Sequence, residues 1–296
     1  MPEVSLSAGP IDYQDTGGDG PVLVFIHGLI MDHTLWRHVV ADVQADYRCV
    51  VPTLPFGAHR RPMRPDADVS MGGLAGLISE LLERLDLREV TLVICDWGGP
   101  LLLASAPADP RVARLVITPC EAFENVPPGL PGRLAGIAAW APGGIRLALW
   151  QLRVGAIRKL PTHLGWMAKR PIPDEIARGW TAPGLASCGV RRDVARYARG
   201  ARGGRRELVA AMEGLRRFAG PVLVAWAAED RVMPPEHGRR LAALFPDARH
   251  VEIADSYTLI PEDQPAALVA EMRAFLEPSG TGPSAGPGAQ VDRVSG

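Results

Sequence analysis

The chain predicts an α/β protein, with a mostly parallel sheet covered by helices on both faces. Three observations lead there. Short β-branched runs alternate with segments of helical periodicity, the pattern of strands joined by helical crossovers. One run, V-T-L-V-I-C-D at Val90–Asp96, stops abruptly at W-G-G-P and is followed at once by the apolar segment Leu101–Ala106. Between about Glu121 and Arg217 the alternation gives way to a helical stretch rich in Gly, Pro and Trp, after which it resumes.

Residues 3–16 carry short alternating segments before Gly17-Gly18, as expected of an antiparallel edge. Val22–Ile26 is a buried strand ending in His27-Gly28; helical spacing follows over Leu35–Val43, then a strand at Tyr47–Val51. Beyond the Pro- and Arg-rich loop Pro55–Asp68, Ser70 caps a helix whose Met71, Leu74, Leu77, Ile78, Leu81, Leu82 and Leu85 recur at helical spacing. Val112–Thr118 is the strand after the D-W-G-G turn. After the helical stretch come strand Pro221–Trp226, helix Pro235–Leu244, strand His250–Ile253 and helix Glu262–Leu276. The implied organisation is a core of residues 1–120 and 218–277, with a helical insertion at 121–217 over the carboxyl edge of the sheet, where open α/β sheets bind ligands. The Gly/Pro/Ser-rich tail 278–296 is expected to be disordered.

With 296 residues, 47% of them hydrophobic, the chain can bury a large core. A net charge of −1 gives no global reason to expect nucleic acid or an anionic membrane as partner. Cys49, Cys95, Cys120 and Cys188 are widely spaced and form no C-x-x-C, so neither a zinc site nor a redox pair is indicated. The start of the chain lacks a charged-then-apolar leader. The longest apolar run, Leu134–Trp150, is cut by Pro142, Gly143, Gly144 and Arg146, too soon to span a membrane. A soluble cytoplasmic protein acting on a small molecule, without metal or cofactor, is the expectation.

A strand that ends in a sharp, glycine-flanked turn and throws one side chain upward is a nucleophile elbow. The side chain here is a carboxylate, Asp96, which is able to attack carbon and become an ester. Glycines let strand and helix approach, and Pro100 fits the first helical turn, where its missing N–H has no partner. D-W-G-G on its own equally suits an Asp that caps a helix.

Three features together resemble the α/β-hydrolase fold over roughly residues 10–277: the early His27-Gly28, the elbow two crossovers later, and the helical insertion before the last two strands. Within that fold I-C-D-W-G-G, with Ile94 rather than glycine two residues before the acid, is similar to the haloalkane dehalogenases, whose elbow reads Val/Ile-x-Asp-Trp-Gly. The resemblance implies an eight-stranded sheet with a helical cap and no cofactor. It makes Asp96 the nucleophile that displaces halide and Trp97 the indole donor to that halide. The backbone N–H groups of Trp97 and Leu29 become the oxyanion site, with His27 in a backbone role beside it. For the acid it implies Asp230, in V-A-W-A-A-E-D-R-V-M-P, or Glu121 just after the preceding strand; each is equally readable as an ordinary loop carboxylate.

The chain departs from the family at the base. The family's Gly-His-x-x-x-x-Asp-x-Pro aligns with A-D-S-Y-T-L-I-P-E-D-Q-P, which puts Thr258 in the histidine's place, and no histidine follows His250. His33, His38, His59 and His163 read as surface or loop residues and His237 as a surface-helix residue. Thr258 is expected to hydrogen-bond to Asp230, and Tyr257 is either a proton donor or a packed ring. Leu29 stands where some relatives carry a second halide donor, leaving Trp140, Trp150, Trp166 and Trp180 as candidates. One cap tyrosine, Tyr197, weighs against an epoxide hydrolase, which uses a pair. The run Arg191, Arg192, Arg196, Arg199, Arg202, Arg205 and Arg206 reads as a solvated face, or as a rim attracting an anionic substrate or acidic carrier protein. The implied activity is a dehalogenase-like hydrolase forming an alkyl-enzyme ester on a small or medium apolar substrate. The alternatives are a lyase, isomerase or cyclase using Asp96 as acid or base, an epoxide hydrolase, and a ligand-binding pseudo-enzyme.

Overall fold

Apolar runs without alternation become strands covered on both faces, and these form the middle of the molecule. The computed structural model describes residues 1–277; the tail expected to be disordered lies outside the described residues. Eight strands form one sheet: β1 (Glu3–Leu6), β2 (Gly9–Asp15), β3 (Val22–Ile26), β4 (Arg48–Pro52), β5 (Val90–Asp96), β6 (Val112–Cys120), β7 (Val222–Ala227) and β8 (Ala248–Ile253). Their order is β1-β2-β4-β3-β5-β6-β7-β8. The β1–β2 and β2–β4 pairs are antiparallel and the rest are parallel. Every residue of β5 and β7 is buried, so the elbow sits at the end of a central strand flanked by β3 and β6.

Helices α1 (Arg37–Val43), α2 (Met71–Arg84) and α3 (Leu101–Ala104) lie between the first strands. In α2 the Ser70 hydroxyl accepts the Gly73 N–H (3.1 Å), and Met71, Leu74, Leu77, Ile78, Leu81 and Leu82 form the buried stripe. Between β6 and β7 run α4 (Gly129–Trp140), α5 (Gly144–Leu152), α6 (Gly155–Arg158), α7 (Asp174–Ala186), α8 (Cys188–Arg199) and α9 (Ala201–Met212). Three more close the chain: α10 (Pro235–Ala242), α11 (Ile260–Asp263) and α12 (Pro265–Leu276). The apolar stretch Leu134–Trp150 is thus two short helices. Among the described residues no helix is long and apolar enough to cross a membrane.

The helical insertion is fastened to the core by carboxylates that accept backbone N–H groups. Asp193 of α8, fully buried, accepts the Met63 N–H (2.7 Å) and lies 3.4 Å from His59 Nε2. Glu207 of α9 accepts the Gly72 N–H at the start of α2 (2.7 Å). In the other direction Asp263 accepts from the backbones of Lys169, Arg170 and Tyr257. His59, expected as a surface or loop residue, is a loop residue, and it is buried because α8 lies over that loop.

Candidate active site

Asp96 has φ +66°, a left-handed conformation that costs a non-glycine residue roughly 1–3 kcal/mol. The surroundings impose it. The Trp97 N–H turns back to the Cys95 carbonyl (2.8 Å), and the Glu121 N–H donates to the Asp96 carbonyl (3.2 Å). A Cβ on Gly28 would overlap the Asp96 carboxylate, and one on Gly98 the Glu121 carbonyl, so both positions demand glycine. With the Trp97 amide engaged within the elbow, Leu29 supplies the backbone N–H that reaches Asp96 Oδ2, at 3.2 Å. The helix beneath the elbow, α3, is a single turn rather than the run Leu101–Ala106, so little helix dipole bears on the acid.

Asp96, Trp97, Glu121 and Tyr197 share a cavity of about 500 Å³ between the sheet's carboxyl edge and the helical insertion. Most of its wall is apolar, with Phe56, Val126, Leu147 and Val232 among the lining residues. Phe56 packs edge-on against both Trp97 (4.7 Å) and Tyr197 (5.0 Å), which fixes the indole. Two polar atoms beside the elbow are buried with no hydrogen-bond partner among the described residues: Trp97 Nε1 and Glu121 Oε2. Burial, opposed by the Leu29 N–H, pushes Asp96 up to about 6. Burial and then the charge of Asp96 push Glu121 up to about 8. Two carboxyls in one apolar hollow cannot both ionise easily, and here the second is the one held neutral at pH 7.

Behind this cavity lies a second polar group. Asp230 Oδ1 accepts the N–H groups of Val232 and Met233 (each 2.8 Å) and the Thr258 hydroxyl (2.9 Å). Its Oδ2 is buried without a partner, and burial pushes the carboxyl up to about 7. Thr258 is fully buried, and its carbonyl accepts from Cys95 Sγ (3.7 Å), which ties it to the elbow strand. A hydroxyl thus stands on Asp230. Neither Asp230 nor Thr258 lines the cavity.

The other expected residues separate. Tyr257 lies outside the cavity wall, its ring between Lys169 Nζ (5.2 Å) and the Arg231 guanidinium (5.1 Å). His27 is buried under the Leu29 loop, donating from Nδ1 to the Gly28 carbonyl (2.8 Å) while Nε2 accepts the Leu54 N–H (2.9 Å). Burial pushes it down to about 4, so it is a neutral structural clamp at pH 7. None of Trp140, Trp150, Trp166 and Trp180 lines the cavity; Trp180 Nε1 donates to Thr34 Oγ1 (2.8 Å) and Asp32 Oδ1 (3.1 Å). Residues that the sequence left out do line it: Tyr197, Phe56, and a polar group of Gln151, Thr162 and His163. His163 pairs through Nδ1 with Thr162 Oγ1 (2.8 Å) and through Nε2 with Gln151 Oε1 (3.2 Å), and burial lowers its basicity. The helical stripe Val190, Val194, Tyr197 was the available signal for the tyrosine. Among the described residues no group of three or more His, Cys, Asp or Glu side chains is placed to hold a metal ion.

A β-sheet of this order, with an acid on its elbow beneath a helical insertion, belongs to the alpha/beta hydrolase family, whose family model matches residues 23–271. Within that family the chain is an enzyme of the hydrolase fold, similar both to haloalkane dehalogenases and to a decarboxylase. It is 26% identical over 275 residues to haloalkane dehalogenase 2 of Mycobacterium tuberculosis, covering 89% of this chain and 90% of that one. It is 27% identical over 285 residues to a cis-3-alkyl-4-alkyloxetan-2-one decarboxylase of Xanthomonas campestris, covering 90% and 92%. A solved structure of an ancestral haloalkane dehalogenase shares the fold, with a TM-score of 0.73 and 22% identity over 93% of this chain and all of that one.

Proposed function

We propose that Asp96 is a carbon nucleophile and that the enzyme forms an alkyl ester on it from an apolar substrate. The observation that carries this is a carboxylate raised on a strained turn into a largely apolar cavity, beside a buried indole N–H that the Tyr197 hydroxyl approaches without forming a well-aligned hydrogen bond. In the first step an Asp96 oxygen bonds to the substrate carbon and the leaving group departs with its bonding electrons. The Trp97 Nε1–H is available to that departing anion, and the neutral Glu121 carboxyl donates a hydrogen bond to a leaving oxygen. Preorganised donors of this kind supply much of the rate in dry sites. A cavity of about 500 Å³ is within the usual range for small-molecule sites and suits a substrate with alkyl chains.

How the ester is released is a second question, and Thr258 favours a particular answer. A dehalogenase-type cycle needs a water deprotonated beside the ester, and general-base assistance is worth ~10²–10⁴-fold. A threonine hydroxyl bound to Asp230 supplies no such base. The relative that decarboxylates oxetan-2-ones suggests a substrate for which none is required. Attack of Asp96 on the ring carbon bearing the lactone oxygen breaks that C–O bond and leaves a carboxylate on the adjacent carbon. Loss of CO₂ from that carbon forms the C=C bond and expels Asp96 as free carboxylate. Atoms balance without water, and the nucleophile is restored.

The test compares two substrates. With 1-bromohexane, bromide release is expected to stop near one equivalent of enzyme; with a cis-3,4-dialkyl-oxetan-2-one, alkene and CO₂ are expected to accumulate over many turnovers. Asp96→Asn is expected to do neither. Consumption by Asp96→Asn at the wild-type rate overturns the nucleophile assignment, and sustained release of bromide with alcohol shows that another group activates water.

A further inference from the structure

The helical insertion presents an apolar, positively charged face at the mouth of the cavity that holds Asp96. On the α4–α5 hairpin Trp140 is 70% exposed, Ile137 65%, Leu147 55% and Trp150 53%. Exposed apolar groups scattered singly are ordinary, but a cluster on two adjacent helices marks a contact surface. The charge of this segment has one sign. From Asn125 to Pro173 the chain carries no Asp or Glu, although it has 33 in all, so the cluster stands clear of acidic residues of its own segment. Arg133, Arg146, Arg153 and Lys159 of this segment are exposed and make no ion pair among the described residues. The segment's other cations are spoken for: Arg158 pairs with Asp174, Lys169 with Glu229 and Asp255, Arg170 with Asp255. At the edge of the cluster the Arg199 guanidinium lies over the Trp140 ring at 5.0 Å.

The same face surrounds the entrance to the site. Leu134, Ile137 and Leu147 are exposed to solvent and also line the cavity that contains Asp96. A protein seated here would close that entrance, whereas a lipid surface would continue it. Apolar side chains, exposed tryptophans and unpaired arginines are what an interfacial helix pair presents to anionic headgroups. We propose that the α4–α5 hairpin docks on an anionic lipid surface and that the cavity draws its apolar substrate from that surface. The overall charge of −1, which by itself gives no reason to expect such a membrane, averages this face against acidic residues elsewhere. Docking is peripheral, since no described helix is able to cross a bilayer, and it does not depend on the reaction proposed at Asp96.

Sedimentation of the full chain with extruded vesicles tests the proposal. Binding is expected to phosphatidylcholine vesicles containing phosphatidylglycerol, falling as salt is raised, and at least roughly tenfold weaker to phosphatidylcholine alone. A Trp140→Ser/Trp150→Ser variant and an Arg133→Glu/Arg146→Glu variant are each expected to lose most of this binding while keeping the wild-type circular dichroism spectrum and Tm. Absence of binding to the anionic vesicles overturns the proposal, as does equal binding by both folded variants. A stable dimer in solution that the Trp140→Ser/Trp150→Ser variant dissociates also overturns it, since the face is then covered by a second copy.

Discussion

Glu121 makes the folded protein's stability depend on pH in a direction opposite to that of a salt-bridged carboxylate. The side chain is 6% exposed, its Oε2 is unpartnered, and burial beside Asp96 pushes it from its ordinary 4.5 up to about 8. Between those values the folded chain holds a proton that the unfolded chain releases, so stability is greatest at the acid end of the window and falls as pH rises. One proton contributes a slope of about 1.4 kcal/mol per pH unit, on the order of 3 kcal/mol between pH 5 and pH 7. Glutamine has nearly the same shape and does not ionise. Urea denaturation of wild type and Glu121→Gln across that range is therefore expected to give converging curves at low pH, with the variant more stable by roughly 3 kcal/mol at pH 7. The variant's own curve still declines, because Asp96 and Asp230 are pushed up to about 6 and about 7 by burial. Parallel curves for the two proteins, separated by the same amount at every pH, would refute the assignment of a neutral Glu121 to this site.

Three further outcomes are expected. Trp97→Phe keeps the edge-on contact with Phe56 but removes the indole N–H; single-turnover release of the leaving group slows by roughly 10²-fold while Tm changes little. Asp193→Ala leaves the Met63 N–H and His59 without their buried acceptor and loosens α8 from the core, costing about 3–5 kcal/mol in urea denaturation. Because Asp96 attacks only when ionised and burial pushes it up to about 6, the rate of ester formation rises with pH through that value and levels above it in a stopped-flow pH profile; a rate that falls over the same range is inconsistent with attack by the carboxylate.

The sheet was legible because a strand covered on both faces leaves an unbroken apolar run, as in Val90–Asp96 and Val222–Ala227. α2 was legible from its stripe and from Ser70, and the elbow from glycines whose necessity is steric and local. What stayed hidden depends on contacts between distant segments. The turn of the Trp97 N–H toward the Cys95 carbonyl follows from a positive φ at Asp96, which no residue type announces. Tyr257 and Tyr197 are equally plausible in sequence; only the seating of α8 on the core puts one in the cavity and leaves the other between two cations. Counting arginines misleads for a similar reason. Arg191, Arg192, Arg196 and Arg199 donate to the carbonyls of Gly184, Met63, Ala67 and Ala139, so much of that basic run tethers backbone rather than facing solvent. The stretch Leu134–Trp150, read as an interrupted span, acquires meaning only when its helices are seen to border the cavity.

Peptide mapping of acid-quenched enzyme after exposure to 1-bromohexane measures the nucleophile directly. Attack by Asp96 predicts one hexyl group added to the tryptic peptide of residues 89–111, with fragmentation placing it on Asp96. A single stoichiometric burst of bromide with that peptide unmodified, or the hexyl group found on Glu121 or another side chain, would contradict it.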